Sequence, residues 1–262
     1  MENKGWALVT GASSGIGEAM ALQLAERGYN LVLVARRQER LQQVAGLLQQ
    51  TGREAIALPI DLAQDDGPSR LFKAVKERKI EIDMLINNAG FGDFQPFREM
   101  SWEQISKLTQ VNWVAVVQLT YLFLPQLLSR PHRAYLLNVS SQAAFQPVPN
   151  FAVYAAVKTA VRDFSEAISI ELKRTNLHVC CLCPGATESE FTKVARMDVP
   201  RMSRAAQISA ERCARIALNG MFRRRRLVIS GSITRLSALL TRFAPRGWAA
   251  EVAGRVTGRS TR

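Results

Sequence analysis

The chain has 262 residues, of which 47% are hydrophobic, and a formal net charge of +13, so it can bury a large core without help from disulfides or a structural metal. Of its four cysteines, three crowd into Cys180-Cys181-Leu182-Cys183 inside an apolar run, and His132 and His178 lie in unrelated segments. This excludes both a disulfide framework and a zinc site, and it fits a reducing cytoplasm.

The first ten residues lack a charged segment followed by a long apolar one, so no secretory signal is expected. Short apolar runs then alternate with amphipathic ones along the chain. Strands are expected at 6–10, 31–35, 55–60, 84–87, 134–139, 179–183 and 227–229, because each run is short and apolar throughout, as strands buried on both faces are. Helices are expected between them, at 15–27, 38–50, 68–78, 102–128, 151–174 and 210–222. Such alternation predicts one α/β domain, doubly wound, with a seven-stranded parallel sheet and helices on both faces.

Three stretches need separate reading. Residues 108–129 carry no charge and are long enough to span a bilayer, but they contain Asn112, Gln118, Pro125 and Gln126. A core or subunit-interface helix suits them better. Residues 186–209 are poor in apolar side chains and read as a loop or short helices that would shape a substrate site. The last segment, 232–262, is a basic amphipathic extension of the main 1–231 unit, with Leu236, Leu239, Leu240 and Phe243 at helical spacing. It reads as a helix packed outside the sheet or, alternatively, one resting on a membrane surface. From 220 to 262 there are ten arginines and one acid, Glu251, so this end supplies +9 of the net charge. A solvated surface is the plainest account, contact with anionic lipid or an acidic carrier protein the next. Nucleic acid is the weakest, since no aromatics interleave with the basic residues.

The turn after the first strand reads Thr10-Gly11-Ala12-Ser13-Ser14-Gly15-Ile16-Gly17 and opens a helix. Glycines permit a tight turn and close approach of a ligand, and a helix N-terminus presents free N–H groups to an anion. Together they suggest a dinucleotide phosphate cradle. The second strand ends Val34-Ala35-Arg36-Arg37 with no acid at its tip. An acid there would bind a ribose 2′-hydroxyl, whereas guanidinium suits a 2′-phosphate. NADP(H) is therefore expected, with Arg36 the first candidate and Arg37 the second. Further on, Tyr154 and Lys158 stand one helical turn apart, with Ser141 thirteen residues before Tyr154. A cation beside a phenol is expected to favour tyrosinate, making Tyr154 a usable general acid and base.

These pieces resemble the short-chain dehydrogenase/reductase family over nearly the whole chain. The matching motifs are TGASSGIG at 10–17, Asp61-Leu62, Asn87-Asn88-Ala89-Gly90, Asn112, Ser140-Ser141, Tyr154-x-x-x-Lys158 and Pro184-Gly185. The resemblance implies a Rossmann domain and a catalytic tetrad of Asn112, Ser141, Tyr154 and Lys158. It places Gly11, Ser13, Ser14, Gly15, Ile16, Gly17, Asp61, Leu62, Asn88, Ala89 and Gly90 around the cofactor, with Pro184, Gly185 and Thr187 near its nicotinamide. The more local likeness, in NVSSQAAFQPVPNFAVYAAVK and PGATESEF, is to reductases of lipophilic ketones, 3-oxoacyl groups or steroids. Phe94, Ala143, Phe145 and Phe151 would line the pocket for such a substrate. A homodimer or homotetramer is implied, either free in the cytoplasm or peripheral to the inner face of a membrane. The alternative is a catalytically silent NADP(H)-binding regulatory or scaffold protein.

Overall fold

The computed structural model describes residues 4–188, 190–191, 195–196 and 207–256. Most of the expected substrate loop thus lies outside the described residues. In chain order the elements are β1 (Trp6–Thr10), α1 (Gly15–Glu26), β2 (Asn30–Ala35), α2 (Gln38–Gln49), β3 (Ala55–Pro59), α3 (Gly67–Glu77) and β4 (Ile82–Asn87). Then come α4 (Trp102–Thr109), α5 (Ala115–Leu128), β5 (Ala134–Val139), α6 (Ala152–Glu171) and β6 (Leu177–Pro184). The last are β7 (Thr187–Glu188), β8 (Ile208–Ser209), α7 (Ala210–Phe222), β9 (Leu227–Ser230), α8 (Ser232–Phe243) and α9 (Arg246–Val256).

The main sheet has seven strands in the order β3-β2-β1-β4-β5-β6-β9, all parallel. A second, two-stranded ribbon joins β7 to β8. The apolar strands are buried because both faces are covered. One face packs Leu24, Leu41 and Leu218 of α1, α2 and α7 against Val9, Leu33 and Ile86. The other packs Leu71, Leu119 and Phe123 of α3 and α5 against Leu8, Val32 and Leu136. Chain order reverses between β1 and β4, which opens a crevice at the carboxyl ends of these two strands.

The uncharged stretch 108–129 belongs to this packing, although the span Trp102–Leu128 is long and apolar enough to cross a membrane by length and composition. It is not one continuous α-helix: a π turn over Gln110–Val114 separates α4 from α5. The C-terminal amphipathic segment is likewise two helices, α8 and α9, parted at Ala244-Pro245. Proline lacks the N–H that would continue the first helix. All four cysteines are free and buried, three in β6 and Cys213 in α7. Among the described residues no group of His, Cys, Asp and Glu could hold a metal ion.

Candidate active site

The site grows from the β1–β4 crevice. Thr10 ends β1, and its hydroxyl donates to the Ile86 carbonyl at 3.2 Å while accepting from the N–H groups of Asn88 (3.0 Å) and Ala89 (2.9 Å). In return, the Asn88 amide donates to the carbonyls of Thr10 (2.9 Å) and Gly11 (3.3 Å). The glycine turn and the Asn88-Ala89-Gly90 loop are thereby laced into one unit. Gly11 and Gly15 have φ of +67° and +58°, a region that disfavours a Cβ. At Gly17 a Cβ would strike the Gly11 carbonyl, so the helix start packs directly on the turn.

Ser14 occupies the N-cap of α1, yet its side chain does not cap the helix. Its hydroxyl instead accepts from Arg37 at 2.9 Å, and Ser13 accepts from the same guanidinium at 3.3 Å. The first N–H groups of α1 therefore remain available to an anion. Arg37 also pairs with Glu190 at 2.8 Å, and this guanidinium holds the Glu190 carboxyl below its usual range. Of the two arginines, then, Arg37 is the one brought to the cradle. Arg36 is exposed and makes no ion pair among the described residues. Positive-φ glycines and an uncapped helix end fit the phosphates of a dinucleotide.

Farther along the crevice the Asp61 carboxylate accepts from the Ala63 N–H at 2.9 Å. The Leu62 side chain is buried in the core, which leaves only its backbone for a ligand. Gly185 donates to the Ser230 hydroxyl at 3.3 Å, and a Cβ there would strike Thr234. Thr187 closes this turn through its hydroxyl, which donates to the Gly185 carbonyl at 3.0 Å.

Ser141, Tyr154 and Lys158 meet where β5 faces α6. Ser141 accepts from the Ala143 N–H at 3.1 Å and is hydrogen-bonded to the Tyr154 phenol. The Lys158 ammonium donates to the Val139 carbonyl at 3.0 Å and stands 5.7 Å from the Tyr154 ring centroid. Asn112 sits in the π turn. Its amide donates to the carbonyls of Leu108 and Phe91, both at 2.9 Å, while its buried Oδ1 has no hydrogen-bond partner among the described residues. A Cβ at Gly90 would lie 2.6 Å from that oxygen and 3.2 Å from Lys158 Nζ, so the two polar groups converge on one small space.

The expected downward shift of the Tyr154 phenol is not found. Its ring is buried, 4.3 Å from the Phe151 ring and 5.5 Å from that of Phe191. Desolvation therefore pushes the phenol upward, and the Ser141 hydrogen bond only partly opposes this. Burial also lowers the Lys158 ammonium, to about 8. Loss of water is the largest cause of the shift at each group.

Of the expected pocket residues, Phe94, Ala143 and Phe151 cluster with Tyr154. Phe145 does not join them: it lies 5.1 Å under the Arg162 guanidinium, which is fixed by donating to the Ala144 carbonyl at 2.6 Å. Phe191, from the segment 186–209 expected to shape the substrate site, takes part, and so do Phe91 and Val148, which the sequence did not single out. Phe91 follows the Asn-Asn-Ala-Gly motif and Phe191 ends PGATESEF, so their proximity to those motifs was the available signal.

A Ser-Tyr-Lys group with Tyr154 and Lys158 buried, beside a phosphate cradle, defines a class, and the comparisons specify it. The family model described as short chain dehydrogenase matches residues 5–200. The chain belongs to the short-chain dehydrogenase/reductases, oxidoreductases that work with a nicotinamide cofactor. It is 34% identical over 199 residues to the 17-beta-hydroxysteroid dehydrogenase type 3 of Homo sapiens, covering 74% of this chain and 63% of that protein. A short-chain dehydrogenase from Sphingobium yanoikuyae in complex with NADPH is 30% identical with a TM-score of 0.80, covering 91% of this chain and 93% of that one. The 3-ketoacyl-(acyl-carrier-protein) reductase from Brucella melitensis complexed with NADH is 26% identical with a TM-score of 0.78, covering 87% and 97%.

Proposed function

We propose that the protein is an NADP(H)-dependent reductase of a lipophilic ketone, of 3-oxoacyl or steroid-like type, running in reverse as a secondary-alcohol dehydrogenase. The observation that carries this reading is the convergence of Ser141, Tyr154, Lys158 and Asn112 on a crevice whose other end is a phosphate cradle with Arg37 over it. When bound, the nicotinamide supplies or accepts the hydride.

Each residue then has a separate task. The glycine turn and the open N-terminus of α1 hold the pyrophosphate, and Arg37 takes the 2′-phosphate in place of Glu190. Asp61 and the Asn88–Gly90 loop line the adenine half, and the Pro184-to-Thr187 turn lines the nicotinamide half. Ser141 donates to the substrate oxygen, where negative charge develops. Tyr154 gives its phenolic proton to that oxygen in reduction and takes it back in oxidation. Lys158 holds the ribose and supplies the positive charge that eases loss of the Tyr154 proton. The Asn112 Oδ1 accepts from a water lodged against Gly90, which passes protons to Lys158. Phe94, Ala143, Phe151 and Phe191 exclude water and favour an apolar substrate.

The names of the relatives support this substrate class, and cytoplasmic placement with pairing through the broad surfaces of α4, α5 and α6 accords with it. The test is turnover of apolar ketones with NADPH by the wild type and Tyr154→Phe. The variant should retain NADPH binding and lose about a thousandfold in rate. Equal rates for the two would remove Tyr154 from the mechanism.

A further inference from the structure

The helix α8 is turned inside out relative to an ordinary surface helix. Its small side chains face the protein: Thr234 is buried, Ala238 and Thr241 are half-buried, and the Thr234 hydroxyl donates to Gln142 at 3.4 Å. Its large apolar side chains face solvent. Ile233, Leu236, Leu240 and Phe243 recur at i, i+3, i+7 and i+10, one stripe along the helix, with Leu239 at its edge. Leu240 is 60% exposed and Phe243 79%. Trp248, in the next helix, is 61% exposed.

Basic residues border this stripe. Arg235 and Arg242 lie on the same helix beside Leu239, and Arg246 follows. Arg235 also lines a depression of about 180 Å³ together with Arg223, Arg225, Ile216 and Val228. Three arginines line this one hollow, Arg235 with its Nε donating to the Ile229 carbonyl at 2.9 Å, and basic side chains beside an outward apolar ridge match a phosphate headgroup with its acyl chain. Glu251 is the one acid from 220 to 262. A second copy of this chain on the same ridge would bring like charges together, whereas an anionic lipid surface complements them.

We infer that α8 docks the enzyme on an anionic phospholipid surface, with Leu236, Leu240 and Phe243 entering the acyl boundary and Arg223, Arg225 and Arg235 holding lipid phosphates. The helix also packs against the turn Gln142–Phe145 that follows Ser141. Docking therefore sets the substrate side of the site near the membrane, which, on the substrate reading above, lets an apolar ketone enter from the bilayer.

The experiment is co-sedimentation of the full chain with phosphatidylcholine vesicles containing about one part in three phosphatidylglycerol, against pure phosphatidylcholine. Wild type should sediment with the first, be released by salt, and stay in solution with the second. Leu236→Glu, Leu240→Glu and Phe243→Glu together should abolish sedimentation. Arg223→Gln with Arg225→Gln should weaken it about tenfold or more. NADPH titration of each variant serves as the folding control and separates failure here from failure of the cofactor reading. The inference falls if wild type ignores both vesicles, if it binds both equally, or if the triple-glutamate variant sediments unchanged. It falls also if light scattering shows a dimer that this variant dissociates while vesicles leave the wild type in solution.

Discussion

At the scale of single residues, the pair Tyr154 and Lys158 gives a pH dependence whose sign follows from burial. The Tyr154 phenol is pushed upward and stays protonated through neutral pH. The Lys158 ammonium, lowered to about 8, is the group that titrates. Ketone reduction needs both protonated, so its kcat/KM should fall as pH rises through about 8; a profile flat to pH 10 would remove Lys158 from control. Stability moves the other way. Between pH 8 and the ordinary value of 10.5 the unfolded chain binds the proton that the folded one has released. Stability therefore rises with pH across that window, and denaturant unfolding of Lys158→Met should lose the rise. Arg37 carries a second expectation. Arg37→Ala should weaken NADPH binding about tenfold or more with little change for NADH, whereas Arg36→Ala should do neither, as titration of both cofactors would show. The sequence makes the two arginines equivalent neighbours at a strand end. What separates them is the backbone turn into α2, where Arg37 is the N-cap residue and reaches back to Ser13 and Ser14.

At the scale of elements, the seven strands were legible to within one or two residues at most ends because each is apolar on both faces, a pattern that only double coverage explains. The helix 102–128 was legible as buried but not as interrupted. A π turn adds a residue to a run whose apolar character never lapses, so no composition change announces it. Its effect falls on Asn112, whose amide satisfies the Leu108 carbonyl while its oxygen meets no hydrogen-bond partner among the described residues. The start of β4 depends on a buried acid that the sequence left unmarked. Asp83 accepts from the Trp6 N–H at 2.8 Å, from Arg130 at 2.6 Å and from His132 at 2.7 Å. Asp83→Ala would strip all three partners at once and should cost about 3–5 kcal/mol in denaturant unfolding, with Asp83→Asn milder.

At the scale of the whole molecule, the strand order explains why residues scattered from Gly11 to Thr187 share one crevice: parallel strands deliver their following loops to the same edge of the sheet. That convergence was legible through motifs. The pocket wall was less so, because Phe145 and Phe151 look alike in sequence, and only packing sends one to Arg162 and the other to Tyr154. The placement of sulfur has one more consequence. Cys180, Cys181, Cys183 and Cys213 are all interior, and burial pushes the Cys180 thiol up to about 12, so the reactive thiolate is scarce as well as shielded. A maleimide or aromatic disulfide reagent should leave the native chain unlabelled, and its slow uptake would count the rare moments when the middle of the sheet comes apart. The protein carries its own clock for breathing, with no probe to be engineered in.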